Sequence, residues 1–315
     1  MQHRLITSIV LTLSLTAVAF ASKQSSPDGI KHSFLVTGGE TYIVDEDDKI
    51  VWTYPSATRD GWVLPDGNIL LCVNRQKDYP GGGVIIVNRE NKILFSWKNA
   101  QKGETHSVQP LKNGNLVIVE GGPKPRLVEI DREGKEVVAF PLQCQVKNVH
   151  MQTRMARKLD DGTYLAPHLL DFAVKHYDAK GKVLGAFDTT VEGDPQRKIH
   201  TWPFTAIRLD NGNTLVGLTN GNQVVEFDAK GKVVWRLTND DLPGAPIDDA
   251  CGVQRLPNGN TVFTSYHAGV GKIKLTEVTP EKKIVWQYTS QKRAGVHHFQ
   301  ILSTNGKPLE GTPLK

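Results

Sequence analysis

Short segments in which apolar and polar residues alternate recur along the chain, and turns containing glycine join them. In the stretch HSVQPLKNGNLVIVE (106–120), two strand-like segments flank Asn113-Gly114-Asn115. Asn-Gly and Asp-Gly between apolar segments predict β-hairpins whose two central turn residues both adopt positive φ. The turn glycines are residues 67, 114, 162, 212, 259 and 306, at spacings of 47, 48, 50, 47 and 47. A constant period of this size predicts a propeller or a solenoid.

Each repeat contains four predicted strands and no predicted helix. In the repeat at 106–140 the strands are HSVQPL, LVIVE, RLVEID and EVVAF, and the repeats at 203–237 and 251–288 follow the same order. Four antiparallel strands with short connections form one blade of a β-propeller. A β-helix of stacked coils is the structural alternative, but its repeats are shorter and its ends need caps.

The two ends of the chain complement each other. Residues 32–55 match the second, third and fourth strands of a blade, and HHFQIL (297–302) supplies a first strand without successors. Joining them closes the ring and hides the sheet edges. We therefore predict an all-β, six-bladed β-propeller over residues 32–306, closed by one C-terminal strand joining three N-terminal strands. Residues 22–31 are expected to form a short leader, and residues 307–315 a C-terminal tail.

The first 21 residues differ from the repeats. A basic start, MQHR, precedes an apolar run and the small-x-small sequence Ala19-Phe20-Ala21, a pattern typical of a secretory signal peptide cleaved after Ala21. We expect a periplasmic or secreted protein without a membrane span. The net charge of +5 comes without a Lys/Arg stripe, which argues against nucleic-acid binding. The odd set of three cysteines allows at most one disulfide, and the pairing stays open: Cys72, Cys144 and Cys251.

The fourth strand of every repeat carries a large aromatic residue. Trp occupies this position in DDKIVWTY, NKILFSWK, GKVVWRL and EKKIVWQY, and Phe140 and Phe187 replace it elsewhere. With LPNGNT and VEFDAKGKVVW, these repeats resemble those of the PQQ-binding-like superfamily and of arylsulfotransferase-type propellers. The resemblance spans essentially the chain after the predicted signal peptide and implies the fold. Arylsulfotransferases use a transiently sulfurylated histidine at the propeller axis; PQQ is not expected, because its binding residues have no match here.

Alignment on the turn glycines assigns a set of His and Arg residues to one face of the propeller. Eight residues before each glycine, at the start of the innermost strand, stand Arg59, His106, Arg154, Phe204, Cys251 and His298. Further residues of this set lie beside these positions, in the links between blades or at the ends of the second strands: Asp60, Arg75, Glu120, His150, His168, His200, His267 and His297. These segments surround the mouth of the central channel in a propeller, so we predict a His/Arg funnel there. Any single histidine could equally be a polar strand end without function.

Convergent Arg and His donors suit an anionic ligand, such as an aryl sulfate or an acidic or sulfated sugar. For catalysis the first candidates are His298, His106, His150 and Arg154, with a histidine as nucleophile or general base and arginine stabilising an oxyanion. The remaining funnel residues are predicted to bind substrate. Two alternatives stay open: a non-enzymatic cell-envelope scaffold for protein partners, and an enzyme with a metal or redox cofactor, the metal held by the histidines.

Overall fold

The computed structural model describes residues 22–101, 103–190 and 201–315, and it confirms the predicted six-bladed β-propeller. The predicted signal peptide lies outside the described residues. Blade 1 comprises β5 (Thr58–Val63), β6 (Ile69–Val73), β7 (Gly83–Val87) and β8 (Ile93–Lys98). Blade 2 comprises β9 (Glu104–Pro110), β10 (Leu116–Gly121), β11 (Arg126–Ile130) and β12 (Glu136–Pro141). Blade 3 comprises β13 (Arg157–Lys158), β14 (Tyr164–His168), β15 (Ala173–Tyr177) and β16 (Val183–Asp188).

The remaining blades follow the same antiparallel order. Blade 4 comprises β17 (Trp202–Arg208), β18 (Thr214–Thr219), β19 (Gln223–Phe227) and β20 (Val233–Thr238). Blade 5 comprises β21 (Val253–Arg255), β22 (Thr261–Thr264), β23 (Lys272–Val278), β24 (Ile284–Ser290) and an added edge strand, β1 (Lys23–Ser25). Blade 6 comprises β2 (His32–Gly38), β3 (Thr41–Val44), β4 (Ile50–Tyr54), β25 (Val296–Thr304) and β26 (Lys307–Pro308). Short 3₁₀ helices span Val149–Met151 and Asn239–Asp241.

The ring closes in the predicted manner. β25 pairs with β2, from His32 opposite Thr304 to Gly38 opposite Val296, in a sheet of order β26-β25-β2-β3-β4. The segment before residue 32 adds a second closure, because β1 pairs with β24 at the outer edge of blade 5. The Gln24 side chain fixes that strand, since its Oε1 accepts hydrogen bonds from His32 N and Trp286 Nε1, both at 2.8 Å.

The repeating turns differ from the predicted type in five of six cases. In blade 1, Leu64 N donates to Asn68 O and only Gly67 has a positive φ, at 82°. This is a three-residue connection, a type I turn followed by a left-handed glycine, which tolerates ordinary φ at the residue before it. Asn305-Gly306 alone has two positive φ values, 49° and 78°, as a two-residue hairpin requires. Both turn types need glycine at the same point of the turn, so the spacing of the turn glycines along the sequence is regular although the turn type varies.

Among the described residues, each pair of adjacent blades encloses an apolar cluster, and these clusters hold the ring together. The aromatic residues of the fourth strands contribute to them: Trp286 is fully buried among residues of blades 5 and 6. Trp235 also donates from Nε1 to Pro280 O of the next blade at 2.8 Å. Because each blade buries both of its faces against neighbours, the innermost strands are fixed rigidly around the axis. In the described part of the chain, no helix is long and apolar enough to cross a membrane.

Candidate functional site

Four of the innermost strands contain a β-bulge at the same end of the propeller. The residues left without a cross-strand partner are Arg59 in β5, His106 in β9, Phe204 in β17 and His297 in β25. A bulge bends its strand and redirects the side chain of the extra residue, and bulges are common beside active sites. His106 and Phe204 contact Arg154, which precedes β13. We define the mouth cluster as the four redirected side chains together with Arg154, Glu104, His150 and Tyr266.

A single carboxylate holds the charged half of this cluster together. Oε2 of Glu104 lies 2.6 Å from Nη2 of Arg59 and 3.1 Å from Nδ1 of His150. Burial alone would raise the pKa of Glu104, but the hydrogen bond from His150 and the charge of Arg59 lower it to about 2. Glu104 is therefore ionised at neutral pH, and it neutralises one of two guanidinium groups.

The second guanidinium belongs to Arg154, which is 2 % exposed. Its Nη1 lies 2.8 Å from Nδ1 of His106, and its Nη2 donates to the carbonyl oxygen of His150. Burial and the charge of Arg59 lower the pKa of Arg154 to about 9, although Glu104 opposes this shift. Two positive charges thus stand close together beside one negative charge, a balance that favours an additional anion.

Several polar atoms of the mouth cluster lack a hydrogen-bond partner among the described residues. They include Nε of Arg59, Nε of Arg154 and Nε2 of His106, all shielded from solvent. Burial, followed by the charge of Arg154, lowers the pKa of His106 well below its ordinary value, so its imidazole is neutral. Unsatisfied buried donors are costly, and they cluster where a ligand completes the bonding.

An aromatic stack forms the opposite wall of the cluster. The rings of Tyr266 and His297 lie 4.4 Å apart with an interplanar angle of 8°, and His297 also stacks on Phe204 at 5.8 Å. The guanidinium of Arg154 covers Phe204 at 5.6 Å. Burial and the charge of Arg59 lower the pKa of His297 to about 3, so this ring is neutral as well.

Cys251 and His267 lie at the edge of this wall. Cys251 packs with Met155, Phe204 and Tyr266, and burial, followed by the charge of Asp249, raises the pKa of its thiol well above the usual value. The thiol is therefore protonated at neutral pH and unsuited to nucleophilic attack. His267 is exposed, with Nδ1 3.3 Å from Oδ2 of Asp249.

Asp60 and His298 belong to a second, buried layer. Asp60 lies 3.1 Å from Nη2 of Arg157 and 3.3 Å from Nζ of Lys315, and Nδ1 of His298 lies 3.2 Å from the same Nζ. Trp62 covers Nζ of Lys315 at 4.0 Å from the ring centroid. All five residues are less than 5 % exposed. The described structure contains no hydrogen bond or ion pair between this layer and the mouth cluster.

The alignment on turn glycines assigned His298 to the same position as Arg59 and His106, whereas the structure places His297 there. A second bulge in β25 explains the difference. Counting back eight residues from Gly306 assumes a regular strand, but β25 has a further bulge at Leu302, where Ser33 opposite Ser303 is followed by Phe34 opposite Ile301. The additional residue shifts the register by one, and His297 takes the position that corresponds to Arg59 and His106.

Three other residues assigned to the funnel from the sequence are not joined to the mouth cluster. Glu120 is buried and pairs with Arg126. His168 is buried between Tyr177, 2.9 Å from its Nε2, and Cys144, 3.3 Å from its Nδ1. Arg75 is exposed in the loop after β6, and His200 lies outside the described residues.

Alignment on the turn glycines missed four contributing residues: Glu104, Arg157, Tyr266 and Lys315. Glu104 stands two positions before His106, and Tyr266 directly precedes His267, so both lie within two residues of predicted site positions. The structure leaves all three cysteines free. Among residues 22–101, 103–190 and 201–315, no group of three or more His, Cys, Asp or Glu side chains is arranged to hold a metal ion.

Comparison with known proteins extends the fold assignment only. No family model and no curated protein matches the sequence. A protein of unknown function from Bacteroides caccae has a TM-score of 0.73 at 21% identity, covering 85% of this chain and 98% of that one. A catalytically inactive virginiamycin B lyase from Staphylococcus aureus with quinupristin has a TM-score of 0.58 at 12% identity, covering 89% and 96%. The periplasmic gluconolactonase of Pseudomonas aeruginosa has a TM-score of 0.56 at 12% identity, covering 87% and 99%. These likenesses show that the chain shares the six-bladed propeller fold.

Proposed function

We propose that the mouth cluster binds an anionic small molecule, such as an aryl sulfate or an acidic or sulfated sugar. The observation that supports this most strongly is the pair of guanidinium groups of Arg59 and Arg154, of which only Arg59 forms an ion pair with a carboxylate and both have unpartnered Nε atoms. Guanidinium groups bind sulfate and carboxylate through charge-assisted hydrogen bonds, each worth roughly 1.5–3 kcal/mol. A bound anion would balance the remaining positive charge.

The ligand enters past the solvent-facing part of the cluster. The side chain of His150 is 55% exposed, and those of Glu104 and Arg59 are 15% and 11% exposed. His150 sits on a 3₁₀ helix of only three residues, which makes it the element best able to shift as the anion reaches Arg154. The edge of the Tyr266–His297–Phe204 stack then lies beside the organic part of the ligand.

For catalysis, we assign the central role to His106 instead of His298. A neutral imidazole supplies one donor and one acceptor, and Nε2 of His106 has no partner while lying 3.6 Å from Oε2 of Glu104. His298 contacts Asp60 and Lys315 in the second layer. The resemblance to arylsulfotransferase-type repeats makes sulfuryl transfer to or from a histidine the first reaction to test, with Arg59 and Arg154 stabilising the transferred oxyanion.

We further propose that the protein is exported. The sequence pattern ending at Ala21 predicts a signal peptide, which would direct the protein to the periplasm or out of the cell. Export of that kind suits a substrate taken from the surroundings, such as an acidic sugar. Electrophoretic mobility and N-terminal sequencing of the protein from a secretion-competent host test this point, with a mature start at Ser22 expected.

Calorimetric titration tests the binding. The panel contains 4-nitrophenyl sulfate, glucuronate and, as the uncharged control, glucose. Arg59→Met is expected to weaken binding of the anions at least tenfold, because one charge-assisted contact is lost. Arg75→Met, an exposed arginine outside the cluster, is the matched control and should bind like the unaltered protein. Equal affinity of Arg59→Met and Arg75→Met, or equal binding of glucose and glucuronate, would contradict the proposal.

The chemistry has its own test. Release of 4-nitrophenol from 4-nitrophenyl sulfate in the presence of a phenol acceptor measures sulfuryl transfer, and His106→Ala should abolish it while His298→Ala retains it. Binding of the ester without turnover would leave the anion site in place and exclude this reaction. Absence of binding by every anion would favour the scaffold alternative.

A further inference from the structure

The segment 309–315 crosses the opposite end of the propeller and inserts Lys315 into the channel. Leu309 N donates to Leu302 O, and Arg255 N donates to Leu314 O at 3.0 Å. Residues 310–312 between these points are exposed, and in the described structure residues 310–313 donate no backbone hydrogen bond. The segment is therefore fixed mainly by its two ends.

Lys315 itself is 1 % exposed, which is unusual for lysine. Its Nζ lies 3.3 Å from Oδ1 of Asp60, 3.2 Å from Nδ1 of His298 and 4.0 Å from the Trp62 ring centroid. The Nζ atom thus contacts a carboxylate, an imidazole nitrogen and an aromatic face. This combination of groups is typical of sites that recognise amines. The contacts are directed at the amine; the chain of methylene groups serves to reach it.

The pocket is built independently of the Lys315 side chain. Asp60 is fixed by Gly61 N, which donates to Oδ1 at 2.9 Å, and by Nη2 of Arg157 at 3.1 Å from Oδ2. Trp62 is fixed by its Nε1, which donates to Val108 O at 2.7 Å. Nε2 of His298 is buried without a hydrogen-bond partner among the described residues. Removing the lysine side chain would thus leave a formed polar pocket beside a cavity of about 190 Å³.

We propose that Asp60, Trp62 and His298 form a binding site for a primary alkylamine, and that Lys315 is its ligand within this chain. This site is distinct from the mouth cluster and does not depend on the function proposed there. If Lys315 only held the segment in place, an apolar side chain of similar volume would suffice, because a buried ion pair is seldom more stabilising than good packing. The set of contacts around Nζ therefore selects for the amine group.

Chemical complementation of the full chain tests the proposal. Lys315→Ala should melt at a lower temperature than the unaltered protein, and n-butylamine at about ten times its Kd should raise that midpoint by about 2–4 °C. The amine should leave Lys49→Ala, a change at an exposed lysine, unaffected. n-Butanol and tetramethylammonium chloride, which lack the N–H donors or the shape, should not restore Lys315→Ala.

Two further variants keep the result decisive. Lys315→Met retains the apolar volume and should be destabilised like Lys315→Ala, whereas full stability of Lys315→Met would show that packing alone matters and would overturn the proposal. Adding Asp60→Asn to Lys315→Ala should remove the response to n-butylamine. A response of equal size without Asp60, or no response of a folded Lys315→Ala, also overturns it. If Lys315→Ala does not fold, its yield on refolding with and without n-butylamine is the measurement, and an unchanged yield has the same meaning.

Discussion

Replacing Glu104 by glutamine removes the negative charge that pairs with Arg59 while keeping the size of the side chain. In the folded protein the pKa of Glu104 is lowered from 4.5 to about 2. A shift of this size corresponds to roughly 3 kcal/mol at neutral pH, and to about 2 kcal/mol after allowance for solvent at this 15% exposed side chain. We therefore expect Glu104→Gln to lower the free energy of unfolding by about 2 kcal/mol at pH 7.

The pH dependence gives the sign of the effect. Because the folded pKa lies below the unfolded one, the stabilisation is complete above about pH 4.5 and is lost as the pH falls towards 2. Urea unfolding at pH 7, 5, 4 and 3 should show the difference between variant and unaltered protein shrinking to less than half by pH 3. Glu136→Gln, a change at the 42% exposed partner of Arg126, is the control and should cost less than about 0.5 kcal/mol. A cost for Glu104→Gln equal to the control, or one independent of pH, would refute the electrostatic account of the cluster.

Three further predictions concern the ring and its thiols. Gln24→Ala should lower the free energy of unfolding by about 1–3 kcal/mol, because it leaves the buried Nε1–H of Trp286 unsatisfied. Thermal unfolding measures this loss, with Lys23→Ala as the control variant. Deletion of residues 293–315 should abolish cooperative unfolding in circular dichroism, because β2 loses its pairing with β25 and the ring opens; a retained sharp transition would contradict closure by β25. Burial raises the pKa of Cys144 to about 11 and also raises the pKa values of Cys72 and Cys251. Iodoacetamide at pH 7.5 should therefore alkylate the three thiols only after the protein unfolds. Rapid reaction of any one of them in the native protein would contradict this prediction.

The fold was predictable because its signal is local and repeated. A left-handed glycine is required in each hairpin whatever the exact turn type, so Gly67 and its five counterparts fixed the period. The incomplete blades at the two ends then determined the closure. What the period could not show was β1, because three residues around Gln24 form a strand only when the finished edge of β24 is present to pair with them.

The convergence of the mouth-cluster residues was partly predictable, but the composition of the cluster was not. Counting from the turns placed Arg59, His106 and Arg154 together, because the innermost strands converge on the axis. It failed at His298, since the bulge at Leu302 depends on pairing with β2 and has no sequence signal of its own. It also missed Glu104, whose position two residues before His106 is informative only once the bulge is known.

The second layer could not be predicted as a separate site, although Asp60 and His298 had both been assigned to the funnel. Nothing in the composition of residues 307–315 marks Lys315 as buried, since lysine is normally a surface residue. Its place follows from tertiary structure, where Asp60 and Trp62 converge from β5 at the end of a channel that does not exist in the unfolded chain.

The central claim is that Arg59 and Arg154 form an anion site. Crystals equilibrated with selenate test it most directly, because selenium gives an anomalous signal that locates a sulfate-like anion without ambiguity. The account predicts a peak between the two guanidinium groups, about 3–4 Å from their nitrogen atoms, and its loss in Arg59→Met. Strong peaks elsewhere on the surface with none at the mouth cluster, or a peak there that persists in Arg59→Met, would contradict it.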